Sequence, residues 1–159
     1  MPVLYFEDVE VGMVARSGGY TVTREEIIEF AQRWDPWELH LDDRAGVARG
    51  FGGVIASGAH SAAILALLYQ RAREKEIPYA TVAGLGAEIR LTKPVRPGDT
   101  LRYRGEVIEK RPSARNPQVG VIKTRSQLLN QRDEVVYDSV FATLVQRRPE
   151  QGNESVDSQ

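Results

Sequence analysis

The sequence contains no cysteine, which excludes disulfide bonds, thiolate catalysis and cysteine-ligated zinc or iron–sulfur sites. Overall charge is almost absent as well, since 21 basic residues are balanced by 22 acidic ones. A chain without a positive field has no general attraction to nucleic acid. The two absences favour a protein of the reducing cytoplasm that has no nucleic-acid partner.

Long apolar runs are also missing. The longest is "AAILALL" at residues 62–68, whereas a membrane-spanning helix needs about 20 apolar residues. The opening "MPVLYFEDVEVG" has no basic segment followed by an apolar stretch, so it is not typical of a secretory signal. We therefore expect a cytoplasmic protein with no membrane partner.

Two helices are predicted in the first half of the chain. Thr23 and Glu26 form a capping-box pattern, and an apolar stripe of Ile27, Phe30, Ala31 and Trp34 follows until Pro36 ends the helix. The second helix is predicted from about Ser57 to Glu74, and its apolar centre indicates that it is enclosed on all sides. Residues 41–56, between the helices, are expected to be irregular or weakly helical.

After Pro78 the pattern changes to strands. Four segments are predicted to be strands, at 83–95, 101–111, 118–130 and 134–146, and "VRPGDT" supplies a turn after the first. The last segment is apolar on both faces, which predicts a central strand or one covered by a partner chain. A long apolar helix followed by a meander of strands favours an α+β fold with the sheet wrapped around the helix.

The length of 159 residues predicts one domain, which we place at residues 1–147. The remaining residues, 148–159, have Val156 as their only apolar side chain apart from Pro149. So little apolar surface does not offset the entropy lost on ordering a chain. The segment is predicted to be a disordered tail that the protein does not need for stability or turnover.

The segment "RWDPWELHLDD" places Asp35 and His40 five residues apart in a chain with only two histidines. A carboxylate and an imidazole held by one constrained loop can bind a water and move its proton. Asp before proline is also a common way to begin a turn, and a lone histidine is often structural. From these residues alone, an acid/base pair and an ordinary polar loop both remain open.

The segment "IASGAH" places Ser57 and Gly58 at the start of the second predicted helix. Unpaired backbone N–H groups at a helix start can polarise a carbonyl oxygen, and a glycine lets an acyl group lie against the backbone. The alternative is that the two residues only cap the helix. His60, two positions further on, is predicted to be a packing or cap-associated residue rather than a second base.

Three segments together, "FAQRWDPWELHLDD", "FGGVIASGAHSAAIL" and "EIRLTKPVRPGDTLRYRGEV", resemble the MaoC-like dehydratase family, of the (R)-specific enoyl-CoA hydratase type with a hotdog fold. The resemblance runs in the same order from about residue 5 to residue 147. It implies that Asp35 and His40 are the catalytic acid and histidine, and that the Gly58 N–H polarises the thioester carbonyl of the substrate.

The sequence departs from the family pattern at three positions. Trp37 stands in place of Asn or Gln, Glu38 in place of a common Pro, and Ser57 in place of a common His. We expect Ser57, Gly58 and Trp37 to contact the substrate, with Trp37 affecting pocket size more than chemistry. The implied reaction needs no metal and no cofactor other than the coenzyme A or acyl-carrier protein that carries the acyl group.

The resemblance implies a hydratase/dehydratase that adds water to 2-enoyl thioesters, and it leaves two alternatives: a non-catalytic thioester-binding module and a hotdog thioesterase. It also implies a homodimer or a higher homo-oligomer. The two apolar faces of the last strand agree with this, because one helix covers only one face of a sheet.

Overall fold

The computed structural model describes residues 2–74 and 78–149, and these form a six-stranded antiparallel sheet packed against a long helix. The sheet order is β1-β4-β5-β6-β3, and β2 pairs separately with β4. The strands are β1 Val14–Arg16, β2 Tyr20–Thr21, β3 Thr81–Leu91, β4 Thr100–Pro112, β5 Val119–Leu129 and β6 Val135–Gln146. This is the α+β hotdog architecture expected from the sequence, and that prediction is confirmed.

Helix α1 (Arg24–Trp34) begins where its N-cap was predicted, because the Thr23 hydroxyl accepts the Glu26 N–H at 3.1 Å. It ends at Asp35, as the following proline requires. The predicted apolar stripe is partly wrong: Ile27 and Ala31 are fully buried, whereas the Trp34 side chain is 65% exposed.

Helix α3 (Gly58–Arg73) is capped by Ser57 and packs on the sheet through Ile64, Leu68 and Ala72. The prediction that it is enclosed on all sides is wrong for the single chain, because Leu67 on its outer face is 39% exposed. Because apolar residues occur on every face of this helix, its sequence does not indicate which face the sheet covers.

Between these helices the chain forms two short helical elements. A 3₁₀ turn at Glu38–His40 is followed by a short helix, α2 (Asp43–Ala48). Close packing fixes the rest of the segment, since a Cβ added to Gly46 would lie 1.8 Å from the Gly53 carbonyl oxygen. The composition of 41–56 predicted an irregular or weakly helical segment, which agrees with the short α2, but it did not indicate this packing.

The predicted turn "VRPGDT" does not join neighbouring strands, since β3 pairs with β6 and β4 lies three strands away. The connection crosses the fold and is fastened at two points. The Ala56 N–H donates to the Val95 oxygen at 2.9 Å, and the Gly98 N–H donates to the Val22 oxygen at 2.7 Å. The meander is therefore limited to β4, β5 and β6.

Strand β6 lies between β5 and β3, so the interpretation of the last strand as central is correct. Strand β3 forms one edge of the sheet, opposite the short β1, and all eleven of its residues are exposed. Four of them are large and apolar: Val82, Leu85, Ile89 and Leu91. Among the described residues, β3 therefore exposes more large apolar side chains than the last strand, on which Phe141 is 41% exposed.

The predicted tail, 148–159, lies mainly outside the described residues, which end at 149. Arg148 is described, and its guanidinium binds both Asp8 carboxylate oxygens at 2.6 and 2.8 Å. Its backbone N–H donates to Glu7. With Arg147, this contact lowers the pKa of Glu7 to about 2. Within the described residues, no helix is long and apolar enough to cross a membrane.

Candidate active site

Asp35 lies at the end of α1, where the regular helix stops. Its backbone N–H still donates to the Ala31 oxygen at 3.0 Å, while its φ and ψ of −153° and 70° have left the helical region. Its carbonyl oxygen accepts the Trp37 N–H at 2.7 Å and begins the following turn. The carboxylate is thus held by a rigid element, and 39% of the side chain remains accessible.

His40 ends the 3₁₀ turn that follows and is almost fully buried, with 4% of its surface exposed. Its Nδ1 lies 2.8 Å from the backbone oxygen of Ile55. A carbonyl oxygen only accepts hydrogen bonds, so Nδ1 carries the proton of the neutral ring and Nε2 presents a lone pair. This Nε2 lies 3.6 Å from Asp35 Oδ2.

The Asp35 carboxylate and the neutral His40 Nε2 are both acceptors, so they cannot bond each other directly without an added proton. A water molecule has two O–H groups and can donate one hydrogen bond to each acceptor. The two residues predicted from the sequence are therefore brought together in an arrangement suited to binding and deprotonating water.

Trp37 forms one side of this site. Its ring meets the His40 ring edge-on, with the centroids 5.4 Å apart, and the Trp37 side chain is 51% exposed. On its outer side the Arg49 guanidinium lies 5.9 Å from the indole centroid and forms an ion pair with Glu38. The two departures from the family motif, Trp37 and Glu38, are thus linked to each other through Arg49.

Asp43 fastens the segment behind His40. Its carboxylate accepts the Val54 N–H at 3.0 Å and pairs with Arg24 at 2.8 Å. These contacts, that with the Val54 N–H first, hold the pKa of Asp43 below its usual value. The Ile55 carbonyl that orients His40 is the next residue along, so Asp43 helps to fix the position of that carbonyl.

Ser57 is the N-cap of α3 and Gly58 is its first helical residue, two and three positions after Ile55. The Ser57 hydroxyl accepts the His60 N–H at 3.1 Å, and the Ser57 carbonyl accepts the Ser61 N–H at 3.0 Å. The cap thus satisfies the later N–H groups of the first turn and leaves those of Gly58 and Ala59 without an intrahelical acceptor. Ser57 is a cap, and a contact between its side chain and substrate stays a prediction.

Gly58 is closely covered by the end of β3. A Cβ added to it would lie 2.8 Å from the Leu91 Cδ1. Leu91 itself is 61% exposed, so one side of this contact faces the surface. The start of α3 therefore lies beside the open edge of the sheet.

His60, in the first turn of α3, is buried against α1. Its Nε2 lies 3.3 Å from Glu26 Oε1, and its ring stacks on Phe30 with 4.5 Å between centroids. The same Glu26 oxygen accepts a hydrogen bond from the Tyr20 hydroxyl, which raises the pKa of Tyr20 to about 12. The spacing of Glu26 from Thr23 predicted only a capping box. The contacts of the Glu26 carboxylate with His60 and Tyr20 were not predicted.

A cavity of about 380 Å³ lies between the second half of α3 and the sheet. Apolar side chains dominate its wall, including Leu65, Ala66, Val107, Ile122 and Phe141. Asp35, His40 and Gly58 do not line it. The cavity is therefore separate from the Asp35–His40 pair in the single chain, and no pattern in the sequence pointed to it.

In the described part of the chain, no group of three or more histidine, aspartate or glutamate side chains is placed to hold a metal ion. The candidate site comprises the Asp35–His40 pair, the Trp37 side chain and the start of α3.

Comparison with known proteins identifies a family. The chain matches the model of the MaoC like domain over residues 9–127. A crystal structure of a MaoC-like dehydratase from Rhodospirillum rubrum is similar with a TM-score of 0.82 and 38% identity, covering 92% of this chain and 99% of that one.

Two more distant proteins are similar over most of their length. The unliganded R-hydratase PhaJ1 from Pseudomonas aeruginosa has a TM-score of 0.67 and 26% identity, with coverage of 91% of this chain and 86% of that one. The uncharacterized protein YdeM of Bacillus subtilis is 28% identical over 144 residues, which are 89% of this chain and 98% of the relative.

Proposed function

This chain belongs to the MaoC-like domain family, and we propose that it is a hydratase/dehydratase acting on 2-enoyl and 3-hydroxyacyl thioesters. The observation that carries the proposal is the pairing of Asp35 with a His40 whose lone pair is directed by the Ile55 carbonyl. The similarity to a MaoC-like dehydratase and to an R-hydratase supports the reaction class, and the R-hydratase supports an (R)-3-hydroxyacyl product.

In the proposed reaction, a water donates one hydrogen bond to Asp35 Oδ2 and a second to His40 Nε2. Its oxygen attacks C3 of the enoyl group while one proton passes to the pair, and the pair returns a proton to C2. Water is thus added across the C2–C3 double bond without a redox change, and dehydration is the reverse path. The buried His40 ring is also stabilised, when protonated, by the nearby Asp35 charge.

The thioester carbonyl is proposed to lie at the start of α3. Addition at C3 places negative charge on that oxygen, and the free N–H of Gly58, at the positive end of the helix dipole, is suited to stabilising it. The absence of a side chain at Gly58 leaves room for the thioester once Leu91 moves aside. Ser57 and Trp37 are the proposed neighbours of the acyl carrier and acyl group.

The cavity beneath α3 is the proposed site for the far end of longer acyl chains. Its volume of about 380 Å³ lies in the range of small-molecule pockets. Leu65 is seven residues after Gly58, which corresponds to about 10 Å along a helix. A four-carbon acyl group bound at Gly58 would therefore not depend on the cavity, while a chain of about ten carbons would.

A second copy of the chain is part of the proposal. Strand β3 has hydrogen-bonding partners on one side only and exposes four large apolar residues. An antiparallel edge strand can pair with its own copy across a two-fold axis. Because Leu91 of this strand covers Gly58, a partner on β3 would also enclose the start of α3.

The carrier is proposed to be coenzyme A or an acyl-carrier protein in the cytoplasm, and the reaction as written uses no other cofactor. Incubation with crotonyl-CoA tests the proposal directly. A hydratase removes the enoyl absorbance without releasing thiol, and chiral analysis of the product should give the (R)-3-hydroxy isomer.

Two other outcomes would replace the proposal. Release of free thiol would indicate a thioesterase, and binding without either change would indicate a thioester-binding module. The accessible carboxylate beside an oriented imidazole favours the hydratase, because a binding module needs neither group.

A further inference from the structure

We infer that Glu26 and His60 are a positioning pair that sets the start of α3 relative to the Asp35–His40 pair. The inference rests on the proposed function, since it concerns the alignment of the Gly58 N–H with the water-binding groups. Neither residue contacts the reacting atoms in this arrangement.

The hydrogen bond of His60 fixes the tautomer of its neutral ring. Glu26 Oε1 accepts the bond from Nε2 at 3.3 Å, so Nε2 carries the proton of the neutral ring. Nδ1 is buried and has no hydrogen-bond partner among the described residues. The single bond to Glu26 is therefore the only polar restraint on the ring, which Phe30 otherwise holds by stacking.

A histidine is a costly choice at this position if packing is its only role. A buried polar atom without a partner destabilises the fold, and a leucine would fill similar space without that cost. The bond to Glu26 is what an apolar residue could not supply. His60 is only 3% exposed and its Nε2 is occupied, so it is not placed to act as a second base.

The bond joins the two helices that carry the proposed site. Glu26 and Phe30 are one turn apart on α1, the helix that ends at Asp35, and both hold His60. His60 is two residues after Gly58, and its own N–H is fixed by Ser57. The contact therefore controls the separation between Asp35 at the end of α1 and the free N–H at the start of α3.

Misplacement of reacting groups by about 1 Å can reduce a rate by about 100-fold. His60→Leu and Glu26→Leu should each lower kcat for crotonyl-CoA by about that factor while KM changes less than about threefold. The double variant should be little worse than the poorer single, because the two residues act as one unit. His60→Gln, which can still donate to Glu26, should cost less than about tenfold.

Tyr20→Phe is the matched control, since it removes the other hydrogen bond to the same Glu26 oxygen and keeps the aromatic ring. Its kcat should stay within about twofold of the parent. The positioning of the carbonyl is measured separately by the infrared band of bound butyryl-CoA, a saturated thioester that cannot be hydrated. The band should be lowered in frequency by the parent and less so by His60→Leu.

Thermal unfolding of each variant distinguishes a misfolded protein from a folded one with misplaced groups. If His60→Leu does not fold, Glu26→Leu tests the inference instead, because Glu26 is only partly buried. Folded leucine variants with parental kcat and a parental butyryl-CoA band would overturn the inference while leaving the proposed function intact. A parent that neither hydrates crotonyl-CoA nor binds butyryl-CoA would overturn the proposed function and this inference with it.

Discussion

The pairing of Asp35 with His40 leads to the sharpest prediction, which concerns the loss of either group. Asp35→Asn keeps the shape of the side chain and removes its charge and its proton acceptor. At 3.6 Å, an ionised Asp35 stabilises a protonated His40 by about 5 kcal/mol at an effective dielectric constant near 20. Because 39% of the Asp35 side chain is exposed, we halve this figure to about 2–3 kcal/mol.

A loss of about 2.7 kcal/mol corresponds to about 100-fold in rate. General acid–base groups typically contribute about 10²–10⁴-fold, so the electrostatic figure is a lower limit. We expect Asp35→Asn and a His40 variant each to lose at least about 100-fold in crotonyl-CoA hydration. Since one water serves both groups, the double variant should be little worse than the poorer single.

Two replacements of His40 separate its chemistry from its structural bond. In the parent, His40 Nδ1 lies 2.8 Å from the Ile55 oxygen. In His40→Asn the side-chain amide nitrogen takes the place of Nδ1 and can still donate to that oxygen. In His40→Gln that oxygen loses its donor, which should cost about 1–3 kcal/mol of stability. Both should be folded and inactive, with His40→Asn the more stable.

The assay is the loss of enoyl absorbance with time, accompanied by thermal unfolding of each variant. A folded Asp35→Asn protein that hydrates crotonyl-CoA near the parental rate would refute the reasoning. The pair would then be an ordinary feature of the loop, and a binding module would become the better explanation of the site.

Three further predictions concern the cavity, the edge strand and the tail. Ala66→Phe should reduce kcat/KM at least about tenfold for a ten-carbon enoyl-CoA and leave crotonyl-CoA unaffected, whereas Ala63→Phe, one turn earlier and outside the cavity wall, should change neither. Light scattering should give at least twice the 17.8 kDa chain mass at micromolar concentration, and Ile89→Lys should lower it; a monomeric parent contradicts the proposed pairing through β3. Deleting 149–159 should leave the melting temperature and turnover nearly unchanged, and a fall of several degrees would contradict this. A longer deletion that also removes Arg148 should lower Tm by about 2 °C, because the contacts with Glu7 and Asp8 are lost.

The parts of the fold that the sequence predicted are those encoded by neighbouring residues. Thr23 and Pro36 define the two ends of α1, and Ser57 defines the start of α3, because caps and proline act on the backbone within a few residues. Alternation of apolar residues likewise identified β3 to β6 to within a few residues at each end. The positions of these elements in the chain therefore follow from local physical chemistry.

The parts that were missed depend on contacts between distant residues. The connection before β4 contains Pro97 and Gly98, as a tight turn does, but its bonds to Ala56 and Val22 carry it across the fold. Glu26 illustrates the same limit. Its spacing from Thr23 fits a local cap, yet its carboxylate binds Tyr20 and His60. No pattern within a few residues can indicate which of the two arrangements forms.

The proposed site combines both kinds of information, and His40 shows where they meet. Its spacing from Asp35 is visible in the sequence, and so is the chemistry that the two side chains can perform. Its tautomer depends on the carbonyl oxygen of Ile55, a backbone atom that every residue type possesses. The side chain of residue 55 does not take part in that hydrogen bond. The amino-acid type at position 55 therefore cannot indicate that the bond forms. Whether Nε2 of His40 acts as a base is therefore decided by the path of the chain from Asp43 to Gly58, and that path can be known only from the folded structure.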